Sequence, residues 1–261
     1  MQVSPVEGLV DAGEPSKAGC HACFAGQDAH GTDVWDRCRG LAMIAFDENL
    51  RASLRANLTA HERRAQPLEE RRHAAVAVVL VDSLTESGDS DGDAPGVAAG
   101  AAFLLCIRAA RMNRHAGQYA LPGGRIDPGE TPLEAALREL EEELGIHLTA
   151  ESVVGWLDDY ATRSGYVMTP VVLWGGANPA LKPARAEVEA VYRVTLKALV
   201  DAEPRFVSIL QSDRPVLQLP LRGDLIHAPT AAILFQLRQV GLLGRIGERV
   251  EGIEEPPFAW R

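Results

Sequence analysis

The chain reads GRIDPGETPLEAALRELEEELGI from Gly124 to Ile146, and this stretch is the most informative part of the sequence. It predicts a turn that leads into a helix with chemically marked ends. Thr131 suits the N-cap, and Pro132 suits the first helical turn because its missing N–H needs no partner there. Gly145 suits the left-handed residue that ends a helix, so the helix is expected between Thr131 and Gly145.

This helix is predicted to carry an apolar stripe on one face and three acids on another. At about 100° per residue, four leucines fall within roughly 60° of one another and should pack on a core: Leu133, Leu137, Leu140 and Leu144. Glu139, Glu142 and Glu143 share an arc of about 100° on the other side. Three like charges on one face repel one another mildly, whereas a divalent cation bound between them would make the arrangement favourable. Glu134 and Glu141 project away from this arc and are expected to face solvent.

The turn before the helix, Leu121-Pro122-Gly123-Gly124, allows the backbone to approach another group closely because glycine has no side chain. A carbonyl group in such a loop can join nearby carboxylates around a metal ion. Oxygen-rich sets of this kind suit hard cations, and Mg²⁺ usually keeps waters and accepts phosphate oxygens beside its protein ligands. The alternative interpretation is a solvated acidic face, which is the usual role of a charge run.

Loop and helix together resemble the signature of the Nudix hydrolases. That signature is glycine, five residues, glutamate, seven residues, Arg-Glu, an aliphatic residue, any residue, Glu-Glu, any residue, glycine and an aliphatic residue. The stretch from Gly124 to Ile146 satisfies all nine fixed positions, which makes the match far more specific than a lone glycine-rich motif. The resemblance implies an α/β/α sandwich with a mixed central sheet, extended by an N-terminal segment and a C-terminal helix.

The same resemblance implies a role for each residue of the motif. The implied ligands of Mg²⁺ or Mn²⁺ are the three acids and a loop carbonyl: Glu139, Glu142, Glu143 and Gly124. One of the acids would help to deprotonate the attacking water. Glu130 and Arg138 would hold loop and helix together through a charged contact and, with Gly145, support the motif. The implied reaction is metal-dependent hydrolysis of a diphosphate linkage.

A second segment is similar to the extra signature of the coenzyme A diphosphatases in the same superfamily. It consists of residues 104–108, LLCIR, and residues 114–118, RHAGQ. That subgroup splits coenzyme A into phosphopantetheine and a bisphosphorylated adenosine. The chain departs from the subgroup at three positions, since it has Asn113 for arginine, Leu121 for phenylalanine and Cys106 for threonine.

Five residues are candidate contacts to a substrate phosphate or base: Arg108, Arg114, His115, Gln118 and Ser164. Arginine offers a planar fork that matches phosphate oxygens. In the structural alternative, Arg108 pairs with a surface carboxylate and His115 hydrogen-bonds its own loop. Ser164 belongs to a short turn that also resembles the subgroup, although alone it would be an ordinary hairpin turn.

The signature determines the reaction and not the leaving group, so other substrates stay open. They are ADP-ribose, a dinucleotide and a nucleoside triphosphate. A different class of function is a non-catalytic Nudix module that senses a nucleotide, and the complete set of glutamates argues against it. Glu187 or Glu189 is the further candidate metal ligand or base, because many relatives supply one from this region.

Composition and charge narrow the class of protein. The chain has 261 residues, of which 46% are hydrophobic, and a formal net charge of −10. This charge argues against a broad nucleic-acid surface, which needs clustered lysine and arginine. No apolar run approaches the roughly 20 residues of a transmembrane helix, and no signal core precedes the first acids. A cytoplasmic protein that acts on a small phosphorylated substrate is therefore expected.

The four cysteines do not form a disulfide framework in a chain of this size. A CxxC pair, together with one more cysteine and a histidine, leaves a zinc site open as an alternative: Cys20, Cys23, His30 and Cys38. The second CxxC half of a zinc ribbon is absent, and this disfavours zinc.

The pattern along the chain predicts four segments. Residues 1–39 are expected to be a flexible extension, 40–72 a helical segment, 73–225 the hydrolase core, and 226–261 a C-terminal helix and tail. Helices are expected at 47–66 and 230–243, and a solvated insertion at 83–96. Buried strands are expected at 74–81, 101–107, 152–157, 167–174 and 188–194. The apolar tail either folds back or meets a second subunit, which leaves a homodimer open.

Overall fold

The structure is a computed structural model that describes residues 43–82, 100–110 and 117–260. Several predictions fall on other residues and lie outside the described ranges. They concern the extension at 1–39, the zinc alternative at Cys20, Cys23, His30 and Cys38, the insertion at 83–96, and the substrate contacts Arg114 and His115.

A mixed sheet forms the centre of the molecule, as predicted. Its strands are β1 (Arg72–Asp82), β2 (Ala101–Arg108), β3 (Tyr119–Ala120), β4 (Gly123–Arg125), β5 (Val153–Trp156), β6 (Tyr160–Ala161), β7 (Tyr166–Trp174) and β8 (Val188–Thr195). The main order is β3-β2-β1-β7-β5; β4 also pairs with β1, β6 with β7, and β8 with β2. β1 and β7 run parallel, while the other pairs are antiparallel.

The central strand β1 is covered on both of its faces. Every residue from Ala74 to Val81 is buried, which accounts for the continuous apolar run in the sequence. Ala75, Ala77 and Val79 pack with helix α2 (Pro132–Leu144) on one face. Alternate residues such as Val76 and Val78 pack with the other cluster of buried residues, so the layers are helix, sheet and helix.

Helix α1 (Glu48–Ala60) covers the second face, with Leu50, Leu54 and Leu58 buried at helical spacing. Each buried leucine contributes about 1.5–3 kcal/mol. The predicted helix continued to residue 66, and this end was wrong. The N–H groups of Arg64 and Gln66 donate instead to the carboxylates of Asp158 and Asp159, at 2.8 and 3.0 Å, so the chain leaves the helical path.

The C-terminal helix is shorter than predicted. Regular α-helix α4 ends at Gln236 after starting at Thr230, and a wider π-helical turn follows at Leu237–Leu242. This turn packs against α1, since the Gly241 carbonyl accepts a hydrogen bond from the Asn57 side chain at 2.9 Å. The prediction of one continuous α-helix over 230–243 was therefore wrong at this end.

The sequence patterns did not predict helix α3 (Leu196–Asp201) or a second sheet. That sheet contains β9 (Arg205–Ile209), β10 (Ser212–Leu221) and β11 (Asp224–His227), all antiparallel, in the order β11-β10-β9. The tail folds back on the domain, because the Arg163 guanidinium lies 5.2 Å from the centre of the Trp260 ring. The Trp260 indole also donates to the Glu255 carbonyl at 2.9 Å. Among the described residues no helix has both the length and the apolar character needed to cross a bilayer.

Candidate active site

Strand β4 and helix α2 hold the signature residues, and the helix ends are as predicted. The Thr131 hydroxyl accepts the Glu134 N–H, while the Glu134 carboxylate accepts the Thr131 N–H at 2.7 Å, so the two form a capping box. Gly145 has φ +69° and donates its N–H to the Glu141 carbonyl at 2.8 Å. Glu134 and Glu141 are exposed, as predicted.

Arg138 connects the loop to the helix. Its Nε and Nη2 atoms donate to the two carboxylate oxygens of Glu130 at 2.9 and 3.0 Å, a bidentate arrangement. Nη2 also donates to the Arg125 carbonyl at 3.0 Å. Nη1 contacts Glu139 at 2.9 Å and Glu142 at 3.1 Å. One guanidinium therefore fixes the approach of the loop and holds two of the three acids.

The backbone of Gly124 lies directly against the carboxylate of Glu139. A Cβ added to Gly124 would be 2.1 Å from Glu139 Oε1, so only glycine leaves this carboxylate in place. Burial raises the pKa of Glu139, and the charges of Glu142 and Glu187 raise it further, while the hydrogen bond from Arg138 lowers it. The net effect is a raised pKa, so Arg138 compensates the buried charge only in part.

Glu143 is 5% exposed although it lies about 90° around the helix from the centre of the leucine stripe. Two neighbouring segments contact Glu143, because the N–H of Ala184 donates to its carbonyl at 2.8 Å and the N–H of Gly123 donates to its carboxylate at 3.2 Å. Burial raises the pKa of Glu143 to about 7, with contributions from Glu139 and Glu187. Gly123 and Arg108 act in the opposite direction.

Glu142 differs from the other two acids because its side chain is 61% exposed. As they stand, no three His, Cys, Asp or Glu side chains converge closely enough to hold a metal ion within residues 43–82, 100–110 and 117–260. The reason lies in the contacts above: Arg138 holds Glu139 and Glu142, while Gly123 holds Glu143. The donors are nevertheless hard oxygen atoms within one helical turn, and two of them carry incompletely compensated charge, which is a set that fits Mg²⁺ or Mn²⁺.

Two of the other candidate residues, Arg108 and Glu187, lie near Glu143, and a third, Gln118, contacts Arg108. Arg108, at the end of β2, is close enough to lower the pKa of Glu143. Gln118 is its neighbour across the strands, since the Arg108 N–H donates to the Gln118 carbonyl at 3.1 Å. Glu187 raises the pKa of both Glu139 and Glu143, whereas Glu189 lies within β8 and its carbonyl accepts a hydrogen bond from Arg185.

Ser164 lies in a turn that is tied to the C-terminal segment. Its hydroxyl is 3.1 Å from the Thr162 hydroxyl, and the N–H of the intervening Arg163 donates to Glu255 at 2.8 Å. Arg163 also forms an ion pair with Glu254 at 2.6 Å. The hydrogen bonds of this turn within the described residues therefore do not bring Ser164 to the acids of α2.

The sequence patterns missed a cluster beside the signature loop. Arg125 donates to the Tyr166 hydroxyl from Nε at 3.2 Å and from Nη2 at 3.0 Å, and Arg72 Nη1 lies 3.5 Å from the same oxygen. Burial would raise the pKa of Tyr166, but the two arginines lower it. Only sheet register reveals this cluster, because Arg72 pairs with Tyr166 and Ala74 pairs with Arg125 across separate strands.

Comparison with known proteins agrees with this geometry. The family model described as NUDIX domain matches residues 71–212. An uncharacterized Nudix hydrolase, NudL, from Escherichia coli O6:H1 is 43% identical over 98 residues, which cover 36% of this chain and 50% of that protein. The chain thus spans about half the length of the curated relatives it matches.

Solved structures show similarity to the same family. A Nudix hydrolase from M. smegmatis, RenU, is 26% identical, with 65% of this chain and 85% of that chain covered and a TM-score of 0.39. A MutT/nudix family protein from Enterococcus faecalis is 15% identical, with 69% and 66% covered and a TM-score of 0.43. Because both TM-scores are below 0.5, the family assignment rests on the match to the NUDIX domain model over residues 71–212.

Proposed function

Because this chain belongs to the NUDIX domain family, we propose that it is a metal-dependent hydrolase that cleaves a diphosphate linkage. The observation that carries the proposal is the pair of acids Glu139 and Glu143. Glu143 is 5% exposed and its carboxylate accepts a hydrogen bond from the Gly123 N–H, while the largely buried carboxylate of Glu139 contacts Arg138. Burial raises the pKa of both acids despite these donors. Uncompensated buried charge is costly, and a divalent cation would remove that cost.

The proposed metal ligands are Glu139, Glu142, Glu143 and the Gly124 carbonyl, with Glu187 as a further carboxylate. When bound, Mg²⁺ or Mn²⁺ would offset charge on the diphosphate oxygens and lower the pKa of a water. One of the three acids of α2 accepts a proton from the attacking water. Arg138 and Glu130 keep the loop against the helix, so these groups stay aligned.

The proposed substrate is coenzyme A or an acyl derivative, with phosphopantetheine and bisphosphorylated adenosine as products. Arg108 supports this choice because it lies at the end of β2 near Glu143, and the Gln118 carbonyl accepts the Arg108 N–H. Arg108 supplies a cation that can pair with a substrate phosphate. Arg114, His115 and Ser164 are proposed as further contacts on the basis of the resemblance.

The test is a substrate panel with purified protein and MgCl₂ or MnCl₂. Coenzyme A, ADP-ribose, NADH and nucleoside triphosphates are incubated separately, and mass spectrometry resolves the products. We expect phosphopantetheine and adenosine 3′,5′-bisphosphate from coenzyme A, and no products without the divalent cation.

Hydrolysis of another panel member but not coenzyme A would overturn the substrate and leave the reaction class in place. Absence of hydrolysis with every compound and both metals would overturn the enzyme proposal. In that case, thermal stabilisation by one of the same compounds would identify a nucleotide-sensing module instead.

A further inference from the structure

Two arginines meet at one phenol oxygen beside the signature loop. Arg125 and Arg72 both contact the Tyr166 hydroxyl, and both side chains belong to exposed residues. The Arg125 guanidinium also lies 5.8 Å from the centre of the Tyr166 ring. In the part of the chain that the structure describes, neither arginine forms an ion pair with a carboxylate. Two cations thus share a phenol without an anion to balance them.

Several other arginines around the sheet are paired with acids. Arg63 contacts Asp159 at 2.7 Å, Arg138 contacts Glu130 at 2.9 Å, and Arg163 contacts Glu254 at 2.6 Å. The pairing is available because the chain carries ten more negative than positive charges. Two unbalanced cations held together in such a chain mark a site that fits an anionic group from outside.

The position of this cluster relates it to the proposed reaction. Arg125 directly follows Gly124, whose backbone touches the Glu139 carboxylate. Successive residues of a strand point to opposite faces, so the Arg125 side chain leaves the sheet on the face away from Glu139. An anion bound there would be on the opposite side of β4 from the Glu139 carboxylate. It would therefore be separate from the diphosphate that the acids of α2 are proposed to cleave.

We propose that Arg72, Arg125 and the Tyr166 hydroxyl form a subsite for a phosphate monoester carried by the substrate, one ribose away from the scissile diphosphate. This inference rests on the proposed function and names its substrate class as 3′-phosphorylated adenosine diphosphate derivatives. The two guanidinium groups donate to the phosphate oxygens, and the phenol keeps both groups in place when the subsite is empty.

The first experiment compares coenzyme A with 3′-dephospho-coenzyme A, which lacks only the monoester. Wild type is expected to prefer coenzyme A by at least tenfold in kcat/KM. The double variant R72Q/R125Q should lose this preference to within about threefold, through a higher KM for coenzyme A and an unchanged kcat. Its kinetics with 3′-dephospho-coenzyme A should stay unchanged. R205Q is the matched control, since Arg205 is an exposed arginine on β9.

Other variants separate recognition from structure. The R72K/R125K variant keeps both charges and should recover part of the preference for coenzyme A. If the two arginines had only a structural role, R72K/R125K and R72Q/R125Q would lose the same amount of stability. Y166F removes the shared oxygen and should weaken the preference less than the double arginine variant. Retention of the full preference in R72Q/R125Q, or equal losses with both substrates, would overturn the subsite.

A binding experiment keeps the subsite testable apart from turnover. Calorimetric titration with adenosine 3′,5′-bisphosphate and with adenosine 5′-monophosphate, both with MgCl₂, should show tighter binding of the bisphosphate to wild type and to R205Q. R72Q/R125Q should bind both equally. If wild type hydrolyses neither coenzyme but shows this preference, the proposed function fails and the subsite stands. Equal binding of both nucleotides to wild type would overturn the subsite whatever the turnover.

Discussion

Two groups of shielded carboxylates in this molecule have opposite surroundings. Asp158 accepts hydrogen bonds from the Arg64 N–H at 2.8 Å, the Gln236 amide at 2.9 Å and Arg249 at 2.9 Å. Burial would raise the pKa of Asp158, but these donors together lower it. Glu143 accepts one hydrogen bond from the Gly123 N–H at 3.2 Å, and burial raises its pKa to about 7.

The difference separates a structural role from a chemical one. Around Asp158 the fold supplies donors from the segment after α1, from α4 and from the C-terminal segment, so the charge is balanced within the chain and holds these elements together. Around Glu139 and Glu143 the charge is left incompletely balanced, which costs stability unless a cation binds. The first group should therefore control folding and the second should control turnover.

The largest expected effect is on catalysis. Glu142→Gln and Glu143→Gln should each lower kcat about 10²–10⁴-fold, because each removes a proposed ligand or base while preserving volume. Steady-state turnover with MgCl₂ measures the loss, and circular dichroism checks the fold. Glu141→Gln is the matched control on the same helix, since Glu141 is exposed and lies away from the other acids. Turnover near that of wild type in both variants would contradict the assigned roles.

The next effect is on stability. Asp158→Asn should lower the free energy of unfolding by about 3–5 kcal/mol, because it removes the charge that Arg249 and its neighbours compensate. Urea titration measures this loss, and kcat should change little once the protein is folded. Asp213→Asn alters an exposed acid and should stay within about 0.5 kcal/mol of wild type. A loss below 1 kcal/mol for Asp158→Asn would mean that the network is not structural.

The two groups should also respond oppositely to pH. Glu143 has a folded pKa of about 7, above its usual value of 4.5, so its contribution is present below pH 4.5 and is lost as pH rises to 7. This loss is at most about 3 kcal/mol. The pKa of Asp158 lies below 3.8, so its contribution is present above pH 3.8 and is lost on acidification.

Urea unfolding from pH 3 to 8, with a chelator present, measures both responses. The free energy of unfolding should decline less between pH 4.5 and 7 for Glu143→Gln than for wild type. In wild type, MgCl₂ in place of the chelator should also reduce this decline. Glu255→Gln is the control, because burial also raises the pKa of Glu255 to about 7 and Glu255 is not one of the proposed metal ligands. Identical declines in wild type and Glu143→Gln would show that Glu143 is compensated after all.

The smallest effect distinguishes two adjacent glycines. A Cβ at Gly123 would lie 2.3 Å from the Ala75 carbonyl oxygen, which is backbone and cannot move away, so Gly123→Ala should cost about 1–3 kcal/mol. A Cβ at Gly124 meets the flexible end of Glu139 instead. Gly124→Ala should keep stability within about 1 kcal/mol yet lower kcat about tenfold by displacing that carboxylate. Urea titration and turnover assays measure both, and equal stability of the two variants would contradict this distinction.

Local patterns predicted much of the fold around the candidate site. The capping residues Thr131 and Gly145 act on neighbours a few positions away, and the apolar run of β1 needs only burial on both faces. The end of α1 was not predictable in this way. It depends on Asp158 and Asp159, which are more than ninety positions away in the chain. The sheet of β9 to β11 was missed because β9 and β11 lack an alternating pattern. Leu217, Leu219 and Leu221 do alternate along β10, but that pattern does not indicate which strands pair with it.

Local sequence was enough to predict the loop and helix of the signature and the spacing of its acids, since caps, turns and helical periodicity depend on nearby residues. Long-range packing is the reason that Glu143 is buried, that Arg138 holds Glu139 and Glu142, and that Arg72 meets Arg125 at Tyr166. Burial and charge compensation depend on which distant segments pack together. That choice depends on strand pairing over long separations, which no local pattern records.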